Sequence, residues 1–292
     1  MIPLQRVRAA AARAAPHVLR TPMVPVEGAL LKLECLQPTG SFKVRGFFAA
    51  ALALPPESLR RGLLTVSAGN AAQACAYAAK KLGVSCRVVM FDTAPETKVA
   101  GVKRWGATPI PMPRDQLFGW IADEGWHNEP ESFIHPFADE EVMAGHGGIG
   151  LELLDDVPDL RRVVIPVGGG GLVTGIASAI QGMRPEVEII GVQSDGYPLR
   201  AAAQSGRPSA RLRGEGGRRG CRGPGLCRFG AADAGADDGG DHQRRQHRPG
   251  ASGESPQLAL GRVIAHGPRL IAAISIQTNN ATLGIQKINP TT

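Results

Sequence analysis

One lysine of this chain has neighbours that suit covalent chemistry at its amine. Lys43 lies near the start of an apolar run, Phe42 to Leu54, which stops at two prolines. At 100° per residue, a helix over this run turns the lysine toward Phe47, Ala50 and Leu54. Loss of water there favours the neutral amine and lowers its pKa, as a Schiff-base lysine requires. The alternative is a lysine that extends its ammonium from the helix start into solvent.

Two other stretches have the composition of anion sites. Residues 67–73, Ser-Ala-Gly-Asn-Ala-Ala-Gln, join a predicted strand to a helix, where backbone N–H groups and the positive helix end meet. Residues 168–171 are four glycines between a β-branched strand and an apolar helix, and their amides can wrap a phosphate. The alternatives are a tight turn with Asn70 as N-cap and a flexible loop. No lysine follows the last glycine, unlike in a nucleotide P-loop.

The elements that must position these stretches alternate between strands and helices. Thr39, Gly40 and Ser41 are predicted to cap the helix that carries Lys43. The other predicted helices cover residues 4–15, 71–82, 95–105, 115–124, 151–154 and 172–183, and the predicted strands cover residues 30–33, 62–66, 86–91, 108–112, 161–167 and 186–193. This alternation predicts an α/β fold of parallel βαβ units in two open halves, with ligands at the carboxyl ends of the strands.

The three stretches resemble, in order, the motifs of one enzyme family. Residues 41–46, Ser-Phe-Lys-Val-Arg-Gly, resemble the SFKxRG segment of the fold-type II pyridoxal-phosphate enzymes, specifically the threonine/serine ammonia-lyases (dehydratases). Residues 67–73 resemble their SxGNxxQ substrate loop, and residues 168–172 resemble their phosphate cradle. The resemblance covers roughly residues 4–200. It implies two open parallel-sheet α/β domains like those of the tryptophan synthase β family: a discontinuous large domain (1–61 and 138–200) and a small domain (62–137).

The resemblance also implies roles for individual residues. Lys43 would carry pyridoxal 5′-phosphate as an internal aldimine. The further cofactor-binding residues would be Phe42, Asn70, Gly168, Gly169, Gly170, Gly171 and Leu172, and the substrate-binding residues Ser67, Ala68, Gly69, Asn70 and Ala71. The implied reaction is dehydration and deamination of L-threonine or L-serine to a 2-oxo acid and ammonia. Another fold-type II reaction, such as that of threonine synthase, and a damaged chain without activity are the alternatives.

One position departs from the pattern of many relatives. They carry Ser-Ser-Gly-Asn-His, and in the racemases the second serine returns a proton to the far face of the substrate. This chain has Ala68 there, which has no proton to give. Racemisation is therefore not expected, whereas elimination loses no obvious group.

Length and composition exclude several other classes of protein. A chain of 292 residues, 43% of them apolar, suits about two globular domains, and no stretch approaches the roughly 20 apolar residues of a membrane helix. Residues 1–20 share their Ala and Arg content with transit peptides, but an amphipathic first helix is favoured. Five cysteines at irregular spacing favour reduced thiols in the cytoplasm over disulfides or zinc. The family resemblance implies a small amino acid as the partner. No nucleic-acid or membrane partner is expected, and a homodimer is left as an option.

No metal site is predicted. His135 precedes a proline and His146 lies in a glycine-rich stretch interpreted as a loop, so both are interpreted as structural. Some relatives bind a cation near the position of Asp195, but Gln193 stands where an acid often occurs.

The family resemblance ends near residue 200. Residues 205–255 are rich in Arg, Gly, Ala and Asp without any periodicity, and they hold much of the formal charge of +7. Residues 201–292 are predicted to be an atypical region, poorly ordered in part, and our hypothesis is a shifted reading frame or a chimeric chain over residues 205–255. The alternative is an RGG-like nucleic-acid tail. Near the end, residues 270–276 are predicted as a strand. Residues 275–280 poorly match the turn that pairs the cofactor's pyridine nitrogen, so that partner is not assigned.

Overall fold

The computed structural model describes residues 1–26 and 28–193 and the backbone of three further strands. The helices are α1 (Leu4–Ala14), α2 (Lys43–Ala51), α3 (Pro56–Arg60), α4 (Asn70–Leu82), α5 (Glu96–Lys103), α6 (Arg114–Ala122), α7 (Glu140–Asp156) and α8 (Gly171–Met183). The strands are β1 (Met23–Val26), β2 (Ala29–Lys32), β3 (Leu63–Val66), β4 (Cys86–Phe91), β5 (Thr108–Met112), β6 (Ser132–Phe133), β7 (Arg162–Pro166), β8 (Glu188–Gln193), β9 (Arg213–Gly214), β10 (Gly225–Phe229) and β11 (Ile271–Ile274).

The strands form two sheets within the described part of the chain. One has seven strands in the order β1-β2-β11-β7-β8-β10-β9, and the other has four in the order β5-β4-β3-β6. The four-stranded sheet is wholly parallel, whereas the larger sheet is parallel at its centre and antiparallel toward both edges. The predicted α/β fold is confirmed. All strands of the smaller sheet come from residues 62–137, but a separate small domain with those bounds stays a prediction.

Most predicted elements occur where the sequence places them. β4 and β5 match their predicted bounds, and α4 ends at Gly83, whose φ of 72° is the left-handed conformation of a helix C-cap. The apolar run near the end of the chain does form a strand, β11, between β2 and β7. The first helix continues as a 3-10 turn, Ala15–His17, rather than stopping abruptly.

The glycine-rich stretch around His146 was wrongly interpreted as a loop. It lies inside α7, a 17-residue helix that begins at Glu140 and whose N-cap, Asp139, accepts hydrogen bonds from two backbone N–H groups. The glycines permit close helix packing: a Cβ at Gly145 would lie 2.7 Å from the Arg45 carbonyl of α2. Glycine here allows the helix backbones to pack closely, and this packing outweighs the low helix propensity of glycine.

His146 is the buried polar centre of this helix contact. Its side chain has no exposed surface, its ring meets Phe42 edge-on at 4.8 Å, and neither ring nitrogen has a hydrogen-bond partner within the described residues. Burial lowers the pKa of His146 well below its usual range, and the positive charges of Lys43 and Arg45 act in the same direction. The imidazole is therefore held neutral in the folded protein.

We expect the free energy of unfolding to fall as the pH drops below about 6.5, the ordinary pKa of an unfolded histidine. Below that pH His146 binds a proton in the unfolded chain but not in the folded protein. The free energy of unfolding therefore falls by about 1.4 kcal/mol per pH unit. Urea unfolding of the cofactor-free protein between pH 7 and 5 measures this slope. His146→Met removes this ring and should reduce the slope by about its share of 1.4 kcal/mol per pH unit, while His135, whose pKa burial also lowers, keeps its own share. Equal slopes in parent and variant would contradict the prediction.

Candidate active site

Lys43 is the first residue of α2, but the predicted cap of this helix is wrong. Phe42 occupies the cap position without a side-chain cap, and the hydroxyls of Thr39 and Ser41 are buried with no hydrogen-bond partner in the described residues. The helix ends at Ala51 and not at Leu54. Its position must therefore come from tertiary contacts and not from capping.

Lys43 has the buried environment that its sequence neighbours predict. Phe47 and Ala50 on its face are 0% and 4% exposed, and the lysine itself is partly buried. Its Nζ donates a hydrogen bond of 2.6 Å to the carbonyl oxygen of Pro136 and lies 5.3 Å from the centre of the Phe42 ring. Burial lowers the pKa of Lys43 to about 8. A useful fraction of the amine is thus neutral, and nucleophilic, near neutral pH.

The segment around Pro136 joins Lys43 to the tetraglycine turn, residues 168–171. Pro136 accepts from Lys43, and the next residue, Phe137, packs on the glycines. A Cβ at Gly169 would lie 2.7 Å from Cγ of Phe137, and one at Gly171 would lie 2.9 Å from its carbonyl oxygen. The lysine and the glycine turn are therefore brought together by two consecutive residues. Sequence reasoning missed this segment, although it follows a strand at the ligand-binding edge of the sheet.

The tetraglycine turn has the local form of a phosphate site. Gly170 has φ of 84°, a left-handed conformation, and precedes α8, whose first turn has no acidic residue. No described atom lies within 4 Å of a Cβ built at Gly168 or at Gly170, so that side of the turn is open. Leu172 anchors the helix start in the same apolar cluster as Phe42. The turn therefore places the positive end of the α8 dipole, and the N–H groups that have no acceptor within that helix, beside open space.

The asparagine turn, residues 67–70, leaves the smaller sheet at the same edge as the Pro136 segment. β3 and β6 run parallel, and Ile134 continues their pairing through a bond from its N–H to the Leu64 carbonyl of 2.8 Å. Ser67 follows β3, and its Oγ accepts a hydrogen bond of 3.0 Å from the Gly69 N–H. Gly69, not Asn70, holds the cap position, and α4 begins at Asn70. The partly buried Ala68 contacts the hydrophobic core.

Arg45, two residues after the lysine, holds α2 through a buried ion-pair network. Its guanidinium donates to both oxygens of Glu34 at 2.8 Å, to those of Glu152 at 2.7 and 3.0 Å, and to the Leu19 carbonyl at 3.0 Å. Arg45 is 3% exposed and Glu34 is 0% exposed. Lys32 extends the network through its contact of 2.7 Å with Glu152. This network ties the lysine-bearing helix to α7 and to the start of the first sheet.

Several predicted positions lie outside the described residues. These are Asp195, residues 275–280, and the side chain of Gln193, so the partner of a pyridine nitrogen stays unassigned. The hypothesis of a shifted frame after residue 200 likewise stays a prediction. Within the described ranges there is no cluster of three or more potential metal ligands among His, Cys, Asp and Glu. No described helix combines the length and the apolar character that crossing a bilayer requires.

The residues present fit pyridoxal phosphate on three observations of this structure. An amine of lowered pKa lies beside an aromatic ring, as a carbonyl-binding lysine needs. An open glycine turn at a helix N-terminus provides donors for a phosphate group. The segment 136–137 places these two features next to each other.

Comparisons with known proteins agree with this fit. Residues 14–215 match the family described as pyridoxal-phosphate dependent enzyme. The chain is 41% identical to the L-threonine ammonia-lyase of Thermotoga maritima over 192 residues, which are 63% of this chain and 46% of that protein. It is 38% identical to the catabolic L-threonine dehydratase TdcB of Staphylococcus aureus, covering 67% of this chain and 59% of that one. The chain thus spans about half the length of these relatives.

The chain is also similar to solved structures of related enzymes. A threonine deaminase from T.th. is 39% identical, with a TM-score of 0.61 over 66% of this chain and 65% of that one. The serine racemase of Dictyostelium discoideum is 31% identical, with a TM-score of 0.63 over 67% of this chain and 66% of that one. The similarity therefore includes both eliminating and racemising enzymes by name.

Proposed function

Because the chain belongs to the pyridoxal-phosphate dependent enzymes, we propose that it deaminates L-threonine or L-serine to a 2-oxo acid and ammonia. The observation that carries this proposal is the partly buried Lys43 amine, with a pKa of about 8, held beside the tetraglycine turn. The threonine ammonia-lyase and dehydratase relatives support the choice of substrate. The reaction loses water in one step and regains it in a later hydrolysis, so threonine yields 2-oxobutanoate and ammonia.

In this proposal each motif has one task. The tetraglycine turn and the start of α8, Gly168 to Leu172, would hold the phosphate of pyridoxal phosphate, and Phe42 would lie near its pyridine ring. Asn70 would hydrogen-bond the 3′-oxygen of the cofactor, and Ser67, Ala68, Gly69 and Ala71 would complete the turn that binds the substrate carboxylate through backbone N–H groups. The bound cofactor supplies an electron sink for negative charge at Cα.

Lys43 is the acid–base group in the proposed reaction. The amine of Lys43 would remove the Cα proton of the substrate and hold it. Its lowered pKa leaves it partly neutral at the working pH, and the Pro136 carbonyl fixes its direction. The Cα proton and the β-hydroxyl together leave as water, which balances the elimination.

The test of the function uses the purified chain with pyridoxal phosphate. We expect a yellow protein, attachment of the cofactor to Lys43 after borohydride reduction, and 2-oxobutanoate or pyruvate from L-threonine or L-serine. Conversion of O-phosphohomoserine to threonine would instead indicate the threonine synthase reaction. A colourless protein from which borohydride treatment yields no labelled Lys43 peptide would indicate a damaged chain. The domain bounds, a cytoplasmic location and a homodimer remain parts of the proposal.

Ala68 predicts the stereochemical outcome of this reaction. The parent should form no D-serine from L-serine, because alanine cannot donate a proton to the far face of Cα. Ala68→Ser supplies a hydroxyl at that position and should introduce measurable racemisation, at the expense of elimination. Chiral chromatography of the products measures both.

The matched control is Ala68→Gly, which changes the same residue without adding a hydroxyl. It should form no D-serine. D-serine from the parent chain would show that another group protonates that face.

A further inference from the structure

The segment that joins Lys43 to the tetraglycine turn is folded by a side chain that the proposed function does not use. Nδ1 of His135 accepts hydrogen bonds from the backbone N–H groups of Phe137, at 3.3 Å, and Ala138, at 3.0 Å. The loop thereby bends around the imidazole. Between these residues lies Pro136, whose carbonyl oxygen binds Lys43.

The sequence of this segment makes the imidazole bonds necessary. Pro136 has no N–H and restricts the residue before it to extended conformations, so the backbone at this point is not part of regular structure. The following two N–H groups need acceptors, and the His135 ring supplies one atom for both. A side-chain acceptor that bonds to N–H groups two and three residues later is the same device as an Asx turn.

Only a neutral imidazole of one tautomer can do this. Accepting at Nδ1 requires that atom to be unprotonated, which places the proton on Nε2. Burial, together with the positive charge of Lys43, lowers the pKa of His135 to about 4. The ring is also fixed by packing, with its centre 4.5 Å from that of Phe137 and 6.0 Å from that of Phe133.

We propose that His135 is a positioning residue for Lys43: its imidazole folds residues 135–138 so that the Pro136 carbonyl holds the lysine amine next to the glycine turn. Loss of the acceptor at Nδ1 frees two N–H groups and releases Pro136, so the amine moves toward solvent. The catalytic meaning of this position rests on the proposed function of Lys43. The bonds themselves are tested without cofactor.

The experiment compares two variants that differ in one acceptor atom. His135→Asn places its Oδ1 where Nδ1 lies and keeps the turn, whereas His135→Leu is of similar bulk but has no acceptor. NMR of the cofactor-free protein with lysine labelled at Cε, assigned with Lys43→Ala, gives the pKa of the Lys43 amine. We expect the parent and the Asn variant to share a lowered pKa, and the Leu variant to return toward about 10.4, the ordinary value.

A second readout is binding of pyridoxal phosphate. His135→Leu should weaken it measurably, because the amine that captures the cofactor is no longer held in place, and His135→Asn should restore most of the loss. An unchanged Lys43 pKa and unchanged binding in a folded Leu variant would overturn the proposal.

A measurement on the parent decides the question even where His135→Leu does not fold. Nitrogen-15 NMR of the His135 ring should show a neutral imidazole protonated at Nε2 at pH 7. A proton on Nδ1 at that pH would also overturn the proposal. Failure of borohydride to label Lys43 would refute the proposed function but leave these cofactor-free results standing, so the two failures are distinguishable.

Discussion

Replacing Lys43 with alanine should abolish turnover and the yellow colour of the bound cofactor. Lys43 is the buried amine beside the tetraglycine turn, with a pKa lowered to about 8, and alanine neither forms the covalent link nor moves the Cα proton. General acid–base catalysis alone contributes about 10²–10⁴-fold, and the loss of the covalent link adds to that. Absorbance spectra and 2-oxo acid formation measure the effect.

Two control variants distinguish loss of the nucleophilic amine from loss of positive charge and from an unspecific effect of mutation. Lys43→Arg keeps a positive side chain without a nucleophilic amine, and it should be as inactive as the alanine variant. Lys103→Ala, on the exposed side of α5, should retain parent activity. Turnover by Lys43→Ala would refute the assignment of this lysine.

Replacing Arg45 with methionine should lower the free energy of unfolding by about 3–5 kcal/mol. The change leaves Glu34, which is 0% exposed, without its cation and removes two of the contacts of Glu152. Most of that loss comes from the unpaired buried carboxylate of Glu34. Little of it comes from lost packing, because methionine fills much of the space of the arginine. Denaturant unfolding of the parent and variant, compared through midpoint and slope, measures the difference.

The matched control is Arg6→Met. Arg6 also contacts two carboxylates, those of Glu140 and Glu141, but its side chain is 41% exposed. Water screens such a pair, so the expected loss is about 0–1 kcal/mol. Similar losses at Arg6 and Arg45 would contradict the view that the buried network holds α2 in place.

The candidate ligand-binding motifs could be predicted from the sequence because their chemistry is local. A glycine has no Cβ wherever it lies, and a lysine among apolar residues on one helix face loses water whatever packs on that face. The strands β4 and β5 were placed correctly for a similar reason, since a short apolar run between turn residues is typical of a buried strand.

The errors in the prediction arose where distant contacts override local preference. His146 and its glycines were interpreted as a loop, yet they form a helix because α1, α2 and α8 pack against them closely. Thr39 and Ser41 are good caps in isolation, but the buried Arg45 network and not a cap fixes the start of α2. A glycine inside a helix and a missing cap each cost about 1 kcal/mol, which is less than the roughly 3–5 kcal/mol lost when a buried ion pair is broken.

The candidate residues could thus be found without coordinates: an amine that loses water, a turn without side chains, and an alanine where a serine would donate a proton. The contacts that bring the first two together come from folding. The carbonyl of Pro136 on Lys43 and the ring of Phe137 on Gly169 join residues more than 30 positions apart on both sides. Such contacts require distant parts of the chain to come together. Their free energy is gained only when separate elements pack, so no local sequence pattern predicts them.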